Sequence, residues 1–246
     1  MSLLIFLAAL QSLNPAASIV DQWRQAGWVR AVRLVRERAE SQDTLLLSAL
    51  QRAAKDSAPE LRRLAAWGLS LAGTTAAADT LRTALKDPDA GVRWFASYSL
   101  ARLAAVQAIP GLREIEQSMD QPTWVAAGAA GAIARISQAA ELAIGWARAR
   151  SLQTPGLETP ALYKHPPVRR AADAGAACRS EATGVAELLV GIRGEAEDVR
   201  LLEPLACAAD NQAYFDSVRT WRFRPARLDG QPVAARFTQT LPIPEP

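Results

Sequence analysis

Trp221-Arg222-Phe223-Arg224-Pro225-Ala226-Arg227-Leu228-Asp229-Gly230-Gln231-Pro232-Val233 decides how the C-terminal part of this chain folds. Trp221 and Phe223 alternate with arginines. In an extended segment alternate side chains share a face, so both rings are directed to one core. Pro225 lacks an amide hydrogen, so strand pairing must stop there or run along a sheet edge. Asp229-Gly230 suits the positive φ of a tight turn. A further alternating run follows from Val233 to Ile243. Trp221, Phe223, Pro225, Gly230 and Pro232 are the structural residues of this motif.

Upstream, Asn211 to Thr220 reads as a helix with Asp210 or Asn211 as its N-cap. Before it the periodicity is two. Ala186, Leu188, Val190 and Ile192 alternate with Val185, Glu187, Leu189 and Gly191. Arg193-Gly194 makes a tight turn, and Ala196 to Leu202 returns as a second strand. The order strand, strand, helix, strand predicts a small α+β (ββαβ) domain over residues 171–246. Its last strand, Ala234 to Leu241, is expected at the edge, with Arg236, Thr238 and Gln239 turned outward as a candidate partner edge.

These residues and their spacing resemble the TonB C-terminal domain family over about residues 163–243. Gly184, Gly194, Asp198-Val199, Trp221 to Ala226 and Gly230 to Val233 match its motif, and Lys164-His165-Pro166-Pro167 stands where the family has a Tyr-Pro element. The resemblance implies a small periplasmic binding module; the expected free strand edge is where a protein ligand would add a strand. Energy-transducing members also carry a membrane anchor and a long Pro-rich spacer, and here a helical region stands in their place. The hairpin turn is also shorter than the family's, and of the usual Leu-Asp-x-Ala-Ala helix start only Ala213 matches.

Residues 21–150 are rich in Ala, Leu and Arg, poor in β-branched residues and without strand alternation, a composition that favours helix. An internal repeat is visible. Leu61, Val92 and Val125 align, as do Ala65, Ala96 and Ala129, then Leu69, Leu100 and Ile133, at spacings of 31 and 33 residues. A partner helix precedes each copy: Leu45 to Ala54, Thr80 to Leu85, and Ile109 to Ser118. Asp56-Ser57-Ala58-Pro59, Asp87-Pro88-Asp89 and Asp120-Gln121-Pro122 are the turns, each offering a Pro to the first turn of the next helix. Paired helices at this period resemble short HEAT repeats, covering about residues 44–137. Trp23 to Glu40 and Gln138 to Ser151 are expected as single capping helices. Trp67, Trp94 and Trp124 read as repeat core, and Arg62 and Arg93 as a solvated face. The expected architecture is two domains: an all-α HEAT-like repeat over 19–151, a Pro-rich linker over 152–170, and the α+β domain.

Leu3 to Leu10 is a continuous apolar run followed by Asn14-Pro15 and small residues. It reads as a signal peptide over 1–18, cut near residue 17 or 18; it is too short to span a bilayer, which needs roughly 20 apolar residues. Two cysteines in an exported chain suggest one disulfide. Cys178 and Cys207 flank the open end of the hairpin almost symmetrically, which favours their pairing.

Net charge is +3, with Lys55, Lys86 and Lys164 the only lysines. The basic excess is too diffuse to argue for nucleic acid. His165 is the single histidine, so no His triad or His metal cluster can be built, and neither a phosphate loop nor a dinucleotide fingerprint is present. No catalytic, cofactor-binding or metal residue is assigned. The resulting expectation is a non-enzymatic, periplasmic scaffold of a Gram-negative bacterium, binding an outer-membrane or periplasmic protein and capable of homodimerising through its C-terminal domain. The alternatives are a TonB-type energy transducer serving outer-membrane transport, and an enzyme or ligand-binding protein built on the helical repeats.

Overall fold

The computed structural model of the chain describes residues 15–139, 154–175, 183–242 and 244. Two compact units emerge: one runs to Gln121 and resumes over Gly128–Ile136, the other comprises Pro122–Ala127 and the chain from Ser137 onward.

The first unit is helical. Its described elements are α1 (Pro15–Ala26), α2 (Trp28–Glu40), α3 (Leu46–Ala53), α4 (Pro59–Ala72), α5 (Thr75–Ala84), α6 (Ala90–Arg102) and α7 (Ile109–Gln117); α8 (Thr123–Ser137) follows. Helices α1, α3 and α5 pack in series, as do α2, α4 and α6, which makes a two-layered stack of antiparallel pairs. The single capping helix expected over Trp23–Glu40 is in fact two helices. Gly27, at φ 70° and ψ 166°, breaks them apart, a conformation open chiefly to glycine. The expected cap over Gln138–Ser151 falls almost wholly outside the described residues.

The repeat alignment explains the core. Leu61, Ala65 and Leu69 of α4 and Val92, Ala96 and Leu100 of α6 are all buried. Close approach needs the small residues: a Cβ on Gly68 would lie 2.7 Å from Leu50 of α3 and 2.9 Å from Val35 of α2. The third copy departs from the alignment. In α8, Val125, Ala129, Ala132 and Ile136 are buried, whereas Ile133 is half-buried. Two steps of four residues overshoot two helical turns, so the buried face moves from position i+8 to i+7. Trp67, Trp94 and Trp124 are buried, and Trp94 stacks on Tyr98 with centroids 5.8 Å apart. Of the three turn prolines only Pro59 lies inside the next helix; Pro88 and Pro122 precede α6 and α8.

The second unit holds β1 (Leu157–Glu158), β2 (Ala161–Lys164), β3 (Gly184–Val190), β4 (Ala196–Glu203), α9 (Ala208–Val218), β5 (Arg222–Arg224), β6 (Ala226–Leu228), β7 (Gln231–Val233) and β8 (Ala235–Leu241). The main sheet has the order β4-β3-β8, all antiparallel. Pairs Ala186↔Leu201 to Leu189↔Asp198 are those that a turn at Arg193-Gly194 requires.

The linker expected over 152–170 is corrected. Leu157 to Lys164 runs antiparallel to Arg222 to Leu228: Leu157 pairs with Leu228, Glu158 with Arg227, Ala161 with Arg224 and Leu162 with Phe223. Pro160 sits between β1 and β2, opposite the gap that Pro225 leaves between β5 and β6. The two prolines share one interruption, so neither removes a ladder bond that the other strand needs. The second unit therefore reaches back beyond residue 171.

Helix α9 also begins earlier than expected, at Ala208 after an N-cap position at Cys207 that makes no side-chain cap. Asp210 lies in its first turn, and the buried Asn211 closes the preceding loop instead. Its Oδ1 accepts from the Leu205 amide at 2.9 Å, and its Nδ2 donates to the Leu205 and Cys207 carbonyls at 2.7 and 3.1 Å.

Candidate functional site

The Trp221–Val233 stretch fixes the inner side of the C-terminal unit. Trp221 and Phe223 are each 2% exposed. Trp221 meets Tyr214 edge-on at 6.3 Å, and Phe223 meets Phe237 of β8 at 5.7 Å. The Trp221 indole donates to Ser217 Oγ at 3.0 Å, so this large buried side chain leaves no polar atom unsatisfied. Tyr214 donates to the Pro242 carbonyl just past β8. Burial, then the charge of Asp210, push its phenol well above the ordinary value.

Glycines at the hairpin meet this aromatic strand. Gly194 has φ 82°, and a Cβ there would fall 2.0 Å from the Phe223 carbonyl oxygen. The Phe223 amide donates to the Gly194 carbonyl at 2.9 Å. Asp229 and Gly230 have φ 52° and 79°, the double positive φ of a two-residue hairpin turn. Pro232 lies on β7, the outer strand of the β1-β6-β7 sheet, where a missing donor is tolerated.

Strand β8 is one edge of the main sheet and β4 the other. The two edges differ. β8 pairs with β3 through seven unbroken residue pairs, from Gly184↔Leu241 to Val190↔Ala235. The β3–β4 ladder shifts register twice, between Val185 and Ala186 and between Leu189 and Val190. Each shift leaves an extra residue on β4, a bulge that spoils an edge as a template.

The three edge residues named from sequence do not all share a face. Arg236, Thr238 and Thr240 alternate with Ala235, Phe237, Gln239 and Leu241. Gln239 therefore stands on the face of Phe237 and Leu241, across from Ala186, and is half-buried. Period-two geometry separates it from Thr238. Thr238 and Thr240 are the exposed residues of this strand. Glu187, opposite Thr238, pairs with Arg200 of β4 at 3.7 Å.

Sequence reasoning read Asp210 only as a candidate N-cap and missed its pairing with Arg170. The Arg170 guanidinium donates to both Asp210 oxygens, at 2.6 and 2.9 Å, and the Asp210 side chain is fully buried. The available signal was a carboxylate in an apolar helix start. Cys207 is 3% exposed; Cys178 lies outside the described residues. His165 is exposed and lies 5.7 Å from the Trp221 ring. Among the described residues no group of three or more His, Cys, Asp or Glu side chains could hold a metal ion, and no helix is long and apolar enough to cross a membrane.

In the helical unit Arg62 and Arg93 form internal rungs, not the solvated face expected for them. Arg62 Nε and Nη2 donate to Asp87 at 2.8 and 2.9 Å, while Nη1 reaches the Asp56 and Ser57 carbonyls, each at 3.0 Å. Arg93 repeats this one unit on: Nε donates to Gln121 Oε1 at 2.9 Å, and Nη1 to the Asp87 and Pro88 carbonyls at 2.7 and 2.9 Å. Asp87 in turn accepts from the Asp89 amide, as Asp56 does from Ala58. Beside them Arg63 Nε donates to Asp89 at 2.7 Å, and Asp89 caps α6 through the Val92 amide. Burial alone would raise the Asp89 carboxyl, but the Arg63 hydrogen bond and charge, with that amide, outweigh it and hold it below its ordinary value.

A family model for HEAT repeats matches residues 44–134. This segment carries HEAT repeats. The match ends before the first strand at Leu157, and no TonB C-terminal match accompanies it. No curated protein matches the chain.

Proposed function

We propose that the chain is a periplasmic binding and scaffold protein, without catalytic activity, whose C-terminal unit takes a protein partner by strand addition along β8. The observation that carries this reading is the contrast between the sheet's two edges. Strand β8 is straight over seven paired residues and presents exposed threonines. Strand β4 is bulged twice. An added strand gains main-chain hydrogen bonds only where the edge is regular. The resemblance to the TonB C-terminal domain points to the same mode. The HEAT region adds an extended stacked surface of the kind that repeat proteins use for partners.

The test uses the whole chain as bait in a periplasmic extract, beside a Thr238→Lys/Thr240→Lys variant. Lysines on an edge strand discourage pairing, and both positions are exposed. The captured partner should slow hydrogen exchange of the β8 amides and leave β4 unchanged, and the variant should lose it while keeping the same Tm. A partner that stays on the variant, with β8 amides exchanging as in the free protein, would overturn the assignment.

A further inference from the structure

The β2–β5 ribbon carries a cationic face that nothing among the described residues neutralises. Lys164 stands directly opposite Arg222. Arg224, two residues on, shares that face, and all three are exposed. Like charges directly opposite each other destabilise a strand pair. Several arginines elsewhere in this chain have carboxylates: Arg62 has Asp87, Arg170 has Asp210, and even the loop residue Arg193 has Glu195 at 3.0 Å. Here Arg222 reaches only the Arg219 and Trp221 carbonyls, at 3.5 and 2.9 Å. The side chains of Lys164 and Arg224 make no hydrogen bond or ion pair among the described residues. Beside them Tyr163, 63% exposed, is the extra residue in the register shift between Leu162 and Lys164. A bulge of this kind re-aims a side chain, and this one displays an aromatic ring next to unpaired cations.

We propose that this face docks an acidic, extended segment of a protein partner. Same-face residues on a strand recur every ~6.6 Å. A partner segment with carboxylates at alternate positions presents charge at that interval, so successive acids meet Arg222 and Arg224, and Lys164 flanks the first. Guanidinium groups take carboxylates through two parallel hydrogen bonds, and bringing the acids in relieves the repulsion across the ribbon. Tyr163 packs against the stem of the bound segment. A lipid surface is a poorer fit, because membrane-surface elements insert apolar side chains, whereas the ribbon's one large exposed hydrophobic side chain, Tyr163, ends in a hydroxyl. A single-stranded nucleic acid calls for several stacking rings, and the ribbon offers one.

The ribbon and the β8 edge are separate elements, so the two readings fail separately. The experiment titrates the full chain against a fluorescein-labelled octapeptide of alternating Glu and Thr, following polarisation at low and at physiological salt. Phosphatidylglycerol vesicles, a thymidine oligonucleotide and an alternating Lys-Thr peptide are run in parallel. The Glu-Thr peptide should bind, weaken severalfold with salt, and weaken at least tenfold with Arg222→Glu/Arg224→Glu at unchanged Tm. Tyr163→Ala should weaken it about threefold. The Thr238→Lys/Thr240→Lys variant should bind it as the natural chain does. Binding that survives the double charge reversal, tighter binding of vesicles or oligonucleotide than of the peptide, or loss of the peptide in the β8 variant would each overturn the proposal.

Discussion

Trp221 shows how much one side chain decides. Its ring is 2% exposed and touches Tyr214, Phe223 and His165. Truncating a buried aromatic costs ~3–5 kcal/mol, a large share of what a small unit has. Trp221→Ala should unfold the C-terminal unit and leave the helical unit folded; a thermal scan of the variant that keeps both transitions would refute it. The Asp89 carboxyl predicts a pH effect. Its folded pKa is depressed, so its stabilisation is complete above the unfolded carboxylate value, about 4, and is lost as pH falls through the folded value. The helical unit's Tm should stay level through neutral pH and drop in acid, and Asp89→Asn should flatten that drop; an equal acid loss in both would exclude Asp89 as its source. The roles of Trp221, Phe223 and the Asp229-Gly230 turn were legible because alternation and positive φ are local properties. The Arg170–Asp210 pair was not, because forty residues separate its members and no local pattern joins them.

Among the elements, the HEAT pairs were the most legible and their rungs the least. The small-residue alignment located α4 and α6, since a buried helix face repeats at a period the sequence displays. The same alignment matches Arg62 with Arg93, and Asp56 with Asp87 and Asp120, although it is Gln121 that Arg93 binds. Their joint meaning appears only when one unit is laid on the next. Arg62 binds Asp87 through two nitrogens while holding its own turn with a third. Arg62→Lys keeps the charge but loses the fork, and it should lower the helical unit's stability by about 2–3 kcal/mol in a urea titration; an unchanged midpoint would make the rung decorative. The strands β1 and β2 stayed hidden because four nearby prolines imitate a linker, and short pairings between distant segments leave no periodicity to read. The Gln239 misassignment has a simpler origin: polar character was counted where position along the strand decides the face.

For the whole chain, export is the premise behind both the compartment and the cysteines. Helix α1 begins at Pro15 and buries Ile19, Val20 and Trp23, so a cut near residue 17 or 18 would spare the side chains that pack. N-terminal sequencing of exported protein should find a start near residue 18 or 19; a chain beginning at Met1 would refute it. A Cys178–Cys207 bridge, closing a loop of about 30 residues, would stabilise the C-terminal unit by ~3–4 kcal/mol in the chain-entropy account. Non-reducing peptide mapping should recover the linked pair, and two alkylatable thiols in the oxidised protein would exclude it. The unequal edges of the main sheet carry one more consequence. If two copies join β8 to β8 about a two-fold axis, the six-stranded product exposes only bulged β4 strands at its ends. Such an assembly closes on itself and stops at two. The irregularity of β4 thus acts as a terminator, and polymerisation into a fibre has no second straight rim from which to grow.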